Sequence, residues 1–403
     1  MQKKLLEGVK VADFGWVAEG PMTAKYLADY GAEVIRLEGR TRPEIMRSLG
    51  PFKEAIVDYD RSGSFNQWNT SKLSLAVNLT KPEGVEVAKR LVAWSDVVVE
   101  NFSGGAIERM GLGYEELKKV KTDIIMLSTC MQGQTGPHAS SPGSGVTLPA
   151  LTGYHHIAGW PDGLPTSTGA YTDWVALHFN VVAILAALDY RRRTGKGQHL
   201  DMSQYEHGVH FLAPLVLDYF VNGRVAGRTG NRCDYAAPHG AFRCRGAERW
   251  CAIGVFSDEE WEGFCKVLGN PEWTNSPRFA NILERKKNED ELEKLVEAWT
   301  VNQSAEDVMT MMQAAGVGAG VVENAEDIME HDPQLKHRQF FWELEHPTVG
   351  NYRAPRAGFV LSKVPCELRR APLLGEHNEY VLKEVLSLSD EEIAELIASG
   401  AIE

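Results

Sequence analysis

In the stretch GAYTDWVALHFNVVAILAALDYRRRTGKGQ, residues 169–198, one carboxylate, Asp173, stands at the mouth of a long apolar segment that ends in arginines and glycine. A carboxylate there can accept backbone N–H groups at the positive end of a helix, which makes it a cap. It can also be an ionised nucleophile presented on a loop end, with flexible Gly169 just before it to let a carbonyl approach. Thr172 offers the same capping chemistry, so the local sequence leaves both uses of Asp173 open. Arg191, Arg192 and Arg193 complement the other end of the helix dipole, and Thr194-Gly195 stops the helix.

Other chemistries are poorly represented. The junction after the first apolar strand reads DFGWVAEGP, which does not fit the G-x-G-x-x-G dinucleotide fingerprint. Neither a G-x-S-x-G elbow nor an H-E-x-x-H pair occurs. The six cysteines (Cys130, Cys233, Cys244, Cys251, Cys265 and Cys366) lack C-x-x-C spacing, which argues against a zinc site or a disulfide framework and for a reducing, cytoplasmic setting. His155 and His156 adjoin an aromatic and read as packing or surface residues.

The elements that must hold Asp173 follow from the hydrophobic pattern. GVKVADFGW reads as a buried strand, GPMTAKYLADYG as a helix, and AEVIRLEG as the next strand, a strand-helix-strand unit of a parallel sheet. LSLAVNL, DVVVENF and DIIMLST add three strands alternating with the helices PEGVEVAKRLVAWS and YEELKKV. The segment from Trp174 to Arg192 is apolar nearly all round and predicts a central, buried helix. A helix is expected from about Ser203 to Asn222, followed by a Gly/Arg-rich linker. Beyond it, a hairpin turning at Arg245-Gly246 and three amphipathic helices predict a second unit, and short strands and a helix pair close the chain.

With 403 residues the chain is long enough for two cores, and its 43% hydrophobic and 24% charged composition is that of a globular protein. A net charge of −13 disfavours nucleic acid or an anionic membrane as a partner. The start of the chain carries charges throughout, unlike a secretory signal, and the best membrane-span candidate, Val175 to Leu188, is short and contains His178 and Asn180.

Taken in order, VADFGWVAEGPMTAKYLADYGAEVIRLE, NTSKLSLAVNLTKPEG, DVVVENFSGGAIERMGLGYEEL, GQTGP, AYTDW, RRRTGKGQHLDMSQYE and APLLGEHNEYVL give the chain a specific likeness. It resembles the class III coenzyme A transferases, the formyl-CoA and carnitine-CoA transferase family. The resemblance implies an α/β fold: an open Rossmann-like parallel sheet domain plus a smaller α+β domain, in an interlocked dimer. The expected domains are a large α/β part over 1–200, helix and linker over 201–232, a small domain over 233–325, and a return to the large domain over 326–403. It implies acyl-CoA and carboxylic-acid substrates, no tightly bound cofactor, no metal, and assembly as a homodimer or with a related subunit. Asp173 falls where the family has its nucleophile, which attacks the donor thioester to give a mixed anhydride and then an aspartyl-CoA thioester. The positions matching the family's CoA contacts are Ala18, Glu19, Val77, Asn78, Leu79, Thr80, Asn101, Phe102, Ser103 and Arg109, with Arg40 and Arg42 near the adenosine phosphates.

Two departures bear on the pocket: several members have glutamine at Ala18, and a glycine often found four residues after the nucleophile is Leu177 here. The related α-methylacyl-CoA racemases share these segments, but their His-Asp pair falls on Ser144 and Gly145, neither of which titrates. A non-catalytic CoA-binding subunit would keep the fold and lack the nucleophile. STCMQGQTGP, GNRCDYAAPHGAFRCRG and YRAPRAGFVLS resemble the branch that includes succinyl-CoA:benzylsuccinate CoA-transferase. Trp16, Tyr154, Trp160, Tyr171 and Trp174 suit either an aromatic acceptor acid or core packing.

Overall fold

The chain is described by a computed structural model that covers residues 4–364 and 366–403. Six short segments pair in parallel: β1 (Lys10–Asp13), β2 (Glu33–Glu38), β3 (Leu73–Ala76), β4 (Val97–Glu100), β5 (Ile125–Cys130) and β6 (Gln198–Ser203). Their order is β3-β2-β1-β4-β5-β6, so the direction of winding reverses between β1 and β4. Every residue of β4 and β5 is buried, as expected of central strands covered on both faces.

Helices supply those covers. In chain order they are α1 (Glu19–Asp29), α2 (Gly63–Trp68), α3 (Pro82–Trp94), α4 (Ala106–Arg109), α5 (Tyr114–Val120), α6 (Thr147–Leu151), α7 (Tyr154–Ile157), α8 (Tyr171–Thr194), α9 (Gln204–Phe211) and α10 (Ala213–Asn222). On one face, Ala24 and Leu27 of α1 and Ile184 and Ala187 of α8 pack on Val11, Val97, Val99 and Leu127. On the other, Val87, Leu91 and Val92 of α3 pack on Ala12, Ile35, Val98 and Met126, joined by Val381, Leu382 and Ile402 from the end of the chain. By length and composition α8 could cross a membrane. Here it lies against α1 and the sheet, with Asn180 fully buried in its middle.

Two features differ from the sequence expectation. The helix anticipated from Ser203 to Asn222 is two helices, α9 and α10, parted at Leu212 ahead of Pro214, because proline cannot donate to the preceding turn. The polar segment Gln198–Ser203 is an edge strand, β6, which no apolar run announces.

The chain divides into two compact units. One takes in the chain up to Tyr154 with Ser167–Arg224 and Leu335–Glu403; it holds the sheet and a hairpin of β10 (Phe341–His346) and β11 (Gly350–Pro355). The other takes in His155–Thr166 and Val225–Gln334. His155–Thr166 falls within the expected 1–200 domain but clusters here because Arg228 donates to the carbonyls of His156 and Trp160 at 3.3 and 3.2 Å. In this unit β7 (His239–Arg243), β8 (Trp250–Gly254) and β9 (Gly318–Val321) form an antiparallel sheet. Helices α11 (Asp258–Val267), α12 (Ile282–Lys287), α13 (Glu289–Thr300) and α14 (Ala305–Ala314) accompany it. Phe264, Leu292, Val296, Val308 and Met312 pack with Phe242, Cys251 and Ile253 to make its core.

Candidate active site

The sheet's winding reversal leaves a crevice beyond the carboxyl ends of its strands, where ligands of open α/β sheets bind. A cleft of about 870 Å³ opens there. Of the residues expected to touch CoA, Val77, Asn78, Leu79, Thr80, Asn101, Phe102, Ser103 and Arg109 line it, together with Arg42. It is also lined by Trp16, Val17 and Lys81. Lys81 lies within the segment NTSKLSLAVNLTKPEG, but nothing in the sequence marks it as a contact. Arg42, Lys81 and Arg109 are exposed and make no ion pair among the described residues, so three cations face this space without an internal partner. The Arg42 guanidinium sits over the Trp16 ring, 5.8 Å from its centre. The acidic lining is already engaged: Arg47 clamps Glu38 at 2.7 and 2.8 Å, and Glu403 accepts from the Thr41 N–H and Asn78. The cleft therefore favours an anion.

Its floor is the loop from β1 to α1, held in an unusual shape. Val17 has φ 64°, a left-handed conformation that costs a β-branched residue on the order of 1–3 kcal/mol. Neighbouring hydrogen bonds impose it. The Val17 N–H donates to Glu44 at 2.8 Å, and the Trp16 N–H donates to Asn101 Oδ1 at 2.6 Å while Asn101 returns a bond to the Trp16 carbonyl. Beneath the loop, Glu44 pairs with Arg36, which also meets Asp13, and Asp13 pairs with Lys72. Gly20 completes the fit: a Cβ there would lie 2.7 Å from Asn101 Oδ1. The glycine of DFGWVAEGP thus brings α1 close to the β4 loop, rather than making room for a pyrophosphate.

Three expected contacts do not lie in the cleft. The Arg40 side chain turns away to donate to the Leu374 carbonyl at 3.3 Å. Ala18 is buried against Met22 and Leu177, since the left-handed turn at Val17 points it into the core. Glu19 is buried at the first turn of α1, where it accepts from Thr129 Oγ1 at 2.6 Å, Asn180 Nδ2 at 2.7 Å and Gln204 Nε2 at 2.5 Å. Burial pushes its carboxyl up to about 7; those three hydrogen bonds pull the other way and the negative Asp173 adds to the rise.

Asp173 lies in the first turn of α8, half-buried, and no side chain caps that helix. The capping use of Thr172 or Asp173 is thereby set aside: the Thr172 hydroxyl is buried without a partner, and the Asp173 carboxyl is free of the helix's own N–H groups. Burial raises Asp173 to about 6, against the pull of a hydrogen bond from Gln204. Gly145 is packed so closely that a Cβ there would come within 3.2 Å of Asp173 Oδ2. Tyr171 and Trp174 flank it, both more than 40% exposed, and the Trp68 ring meets Trp174 edge-on at 6.1 Å. A half-buried carboxylate at a helix's positive end, with room made by glycine, is suited to attack on a thioester. Among the described residues no group of three or more His, Cys, Asp or Glu is placed to hold a metal ion.

Residues 6–378 match the profile of CoA-transferase family III. Over 402 residues the chain is 34% identical to "Succinyl-CoA:glutarate CoA-transferase" of Mus musculus, covering 99% of this chain and 91% of the relative. It is 32% identical to "Succinyl-CoA--D-citramalate CoA-transferase" of Chloroflexus aurantiacus, covering 98% of each. The crystal structure of a CAIB/BAIF family protein from Brucella suis superimposes with a TM-score of 0.86 at 30% identity, over 95% of this chain and all of that one.

Proposed function

Since the chain belongs to CoA-transferase family III and is a CoA-transferase acting on CoA thioesters, we propose that Asp173 is its acyl-accepting nucleophile. The Asp173 carboxylate attacks the donor carbonyl; the C–S bond breaks and CoA leaves as a thiolate, giving an aspartyl mixed anhydride. The thiolate then attacks the aspartyl carbonyl, releasing the donor acid and leaving an aspartyl-CoA thioester. The acceptor carboxylate runs the same two steps in reverse. One negative charge enters and one leaves at each step, so no proton need move. A carboxylate suits this exchange because its anhydride is close in energy to a thioester, which allows both directions. The observation that carries the proposal is a half-buried carboxylate unused by its own helix, in the same unit as a cleft whose three cations have no ion-pair partner among the described residues and suit CoA phosphates.

For substrates we propose succinyl-CoA as donor and a dicarboxylic acid as acceptor, with benzylsuccinate the aromatic candidate. The names of the two relatives favour dicarboxylates, and exposed Tyr171 and Trp174 beside Asp173 favour an aromatic group. A second copy of the chain is the proposed partner. Leu217, Phe220 and Val221 of α10 are 60–85% exposed, an apolar surface of the kind a second subunit covers. Sedimentation as a monomer at working concentration would count against it, and a related subunit would appear as a mixed complex.

The test is chemical trapping. Mixing with succinyl-CoA, then hydroxylamine or borohydride and peptide mapping, should mark Asp173, and Asp173→Ala should abolish exchange while CoA binding stays within several-fold. Near-normal turnover in that variant removes the mechanism. Deuterium wash-in at the α-carbon of a 2-methylacyl-CoA without any acid acceptor would point to racemisation instead; with Ser144 and Gly145 beside the site, none is expected.

A further inference from the structure

Nothing in the sequence marks residues 401–403, yet Glu403 forms part of the cleft wall. The helix Asp390–Ala398 stops at Gly400, whose φ of 73° turns the chain back, and the Ala401 N–H returns to the Leu396 carbonyl at 3.0 Å. β3 is an outermost strand of the sheet, and residues 401–403 cover its free edge where it runs on toward the cleft. Val77 pairs antiparallel with Ile402; the Asn78 N–H donates to the Ala401 carbonyl at 2.9 Å, and the Glu403 N–H donates to the Ala76 carbonyl at 3.2 Å. Asn378 holds the segment as well, donating to the Glu403 carbonyl at 3.1 Å while it accepts the Ala76 N–H at 2.8 Å. Ala401 and Ile402 are buried, so the Glu403 side chain starts from a fixed place.

From there one carboxylate joins two loops. Oε2 accepts the Thr41 N–H at 2.9 Å, and Oε1 accepts from the Thr41 hydroxyl and, at 3.1 Å, from Asn78 Nδ2. Thr41 precedes Arg42, the cation over the Trp16 ring. Asn78 governs the turn to Lys81: its Oδ1 accepts from the Thr80 N–H and hydroxyl at 3.1 and 2.6 Å, and its carbonyl accepts the Lys81 N–H at 3.1 Å. Those bonds to Thr80 fix which way the amide faces, so Nδ2 must find an acceptor where Glu403 stands. Gly39 leaves the room: a Cβ there would lie 3.2 Å from Glu403 Oε2 and 3.1 Å from the Val77 carbonyl oxygen.

By charge alone this group is out of place, because a carboxylate in a wall shared with Arg42, Lys81 and Arg109 repels the anion those cations attract. We propose that Glu403 is a positioning residue for the CoA thioester: it clasps the loop after β2 to the loop after β3 and so holds Arg42 and Lys81 at the spacing the phosphates require, an ordering that outweighs its own repulsion. The proposal rests on the cleft taking the CoA end of the substrate and is independent of the role of Asp173.

Charge and ordering predict opposite signs. Glu403→Gln keeps the length of the side chain but cannot accept from both the Thr41 N–H and Asn78 Nδ2. It should weaken CoA binding about tenfold in titration calorimetry and raise KM for succinyl-CoA by a like factor, with kcat held within about twofold. Were repulsion the whole effect, the same variant would bind CoA more tightly. Asn78→Asp sets two carboxylates face to face and should also bind weakly. Glu403→Gln combined with Asn78→Asp restores one amide donating to one carboxylate at the wild-type net charge, and should recover most of the lost affinity. CoA binding unchanged or tighter in folded Glu403→Gln, or a double variant no better than the weaker single one, overturns the inference; if Glu403→Gln does not fold, the double variant against Asn78→Asp decides. Lys81→Ala in the same titration separates the premise from the clasp. Affinity unmoved by Lys81→Ala removes the reading of the cleft and the inference with it, whereas affinity lost in Lys81→Ala and kept in Glu403→Gln removes the clasp alone.

Discussion

A carboxylate that attacks as an anion is silent once protonated, and Asp173 is held near that boundary because burial opposes its charge. As pH falls below about 6, kcat/KM for the acyl-CoA should drop about tenfold per unit, a limb read by steady-state rates in buffers of constant ionic strength. The cleft cations make a different demand. A charge-assisted bond to phosphate is worth roughly 1.5–3 kcal/mol, so Arg109→Ala or Lys81→Ala should raise KM for the CoA ester about ten- to a hundredfold and leave kcat within a few-fold. Equal losses in kcat would show that these residues act on the reacting atoms. Of these residues, Asp173 and Arg109 are legible in the sequence because they sit inside extended motifs. Lys81 lies inside such a segment too, but a lysine before a proline-started helix is common and only the fold turns it toward the cleft. Glu19 is visible as a position, but its burial without a cation among the described residues is a property of three-dimensional packing.

Between elements, the two departures from the family pattern meet. Ala18, preceding α1, and Leu177, one turn along α8 from Asp173, pack together with Met22, so the small residue on one element makes room for the large one on the other. Ala18→Gln alone should overfill this contact and cost about 1–3 kcal/mol, and Leu177→Gly alone should leave a cavity and a weakened helix. The double substitution should recover at least about 1 kcal/mol of the summed losses, measured as a coupling energy in denaturant unfolding. Simple additivity would mean the two departures are independent. This pairing is invisible in sequence, where the positions are far apart. The same limit explains which elements can be read in advance. β4 and β5 declare themselves as unbroken apolar runs and α8 by its length, whereas β6 is polar and β9 is rich in glycine, so both are strands only by virtue of their neighbours.

At the scale of the whole molecule, keeping the nucleophile ionised opposes stability. Asp173 rises from 3.8 in the unfolded chain to about 6 when folded, so between those pH values the folded state binds more protons than the unfolded one. Its contribution is therefore fully present below about pH 4 and is lost as pH rises through 6. Glu19 and Glu100, both lifted to about 7 by burial, act in the same direction over a slightly higher window. His346, held down to about 4 by burial, acts oppositely as its neutral form is favoured, so the bulk pH dependence mixes these effects. A difference between variants isolates one of them. Asp173→Asn removes the charge and keeps the shape; it should match the wild type near pH 4 and exceed it by on the order of 2 kcal/mol at pH 8, seen as a higher unfolding temperature only on the alkaline side. A gain independent of pH would mean that packing, rather than charge, limits stability there. A gain that grows with pH in a variant without exchange activity would identify the carboxylate as strain that the fold retains for its chemistry.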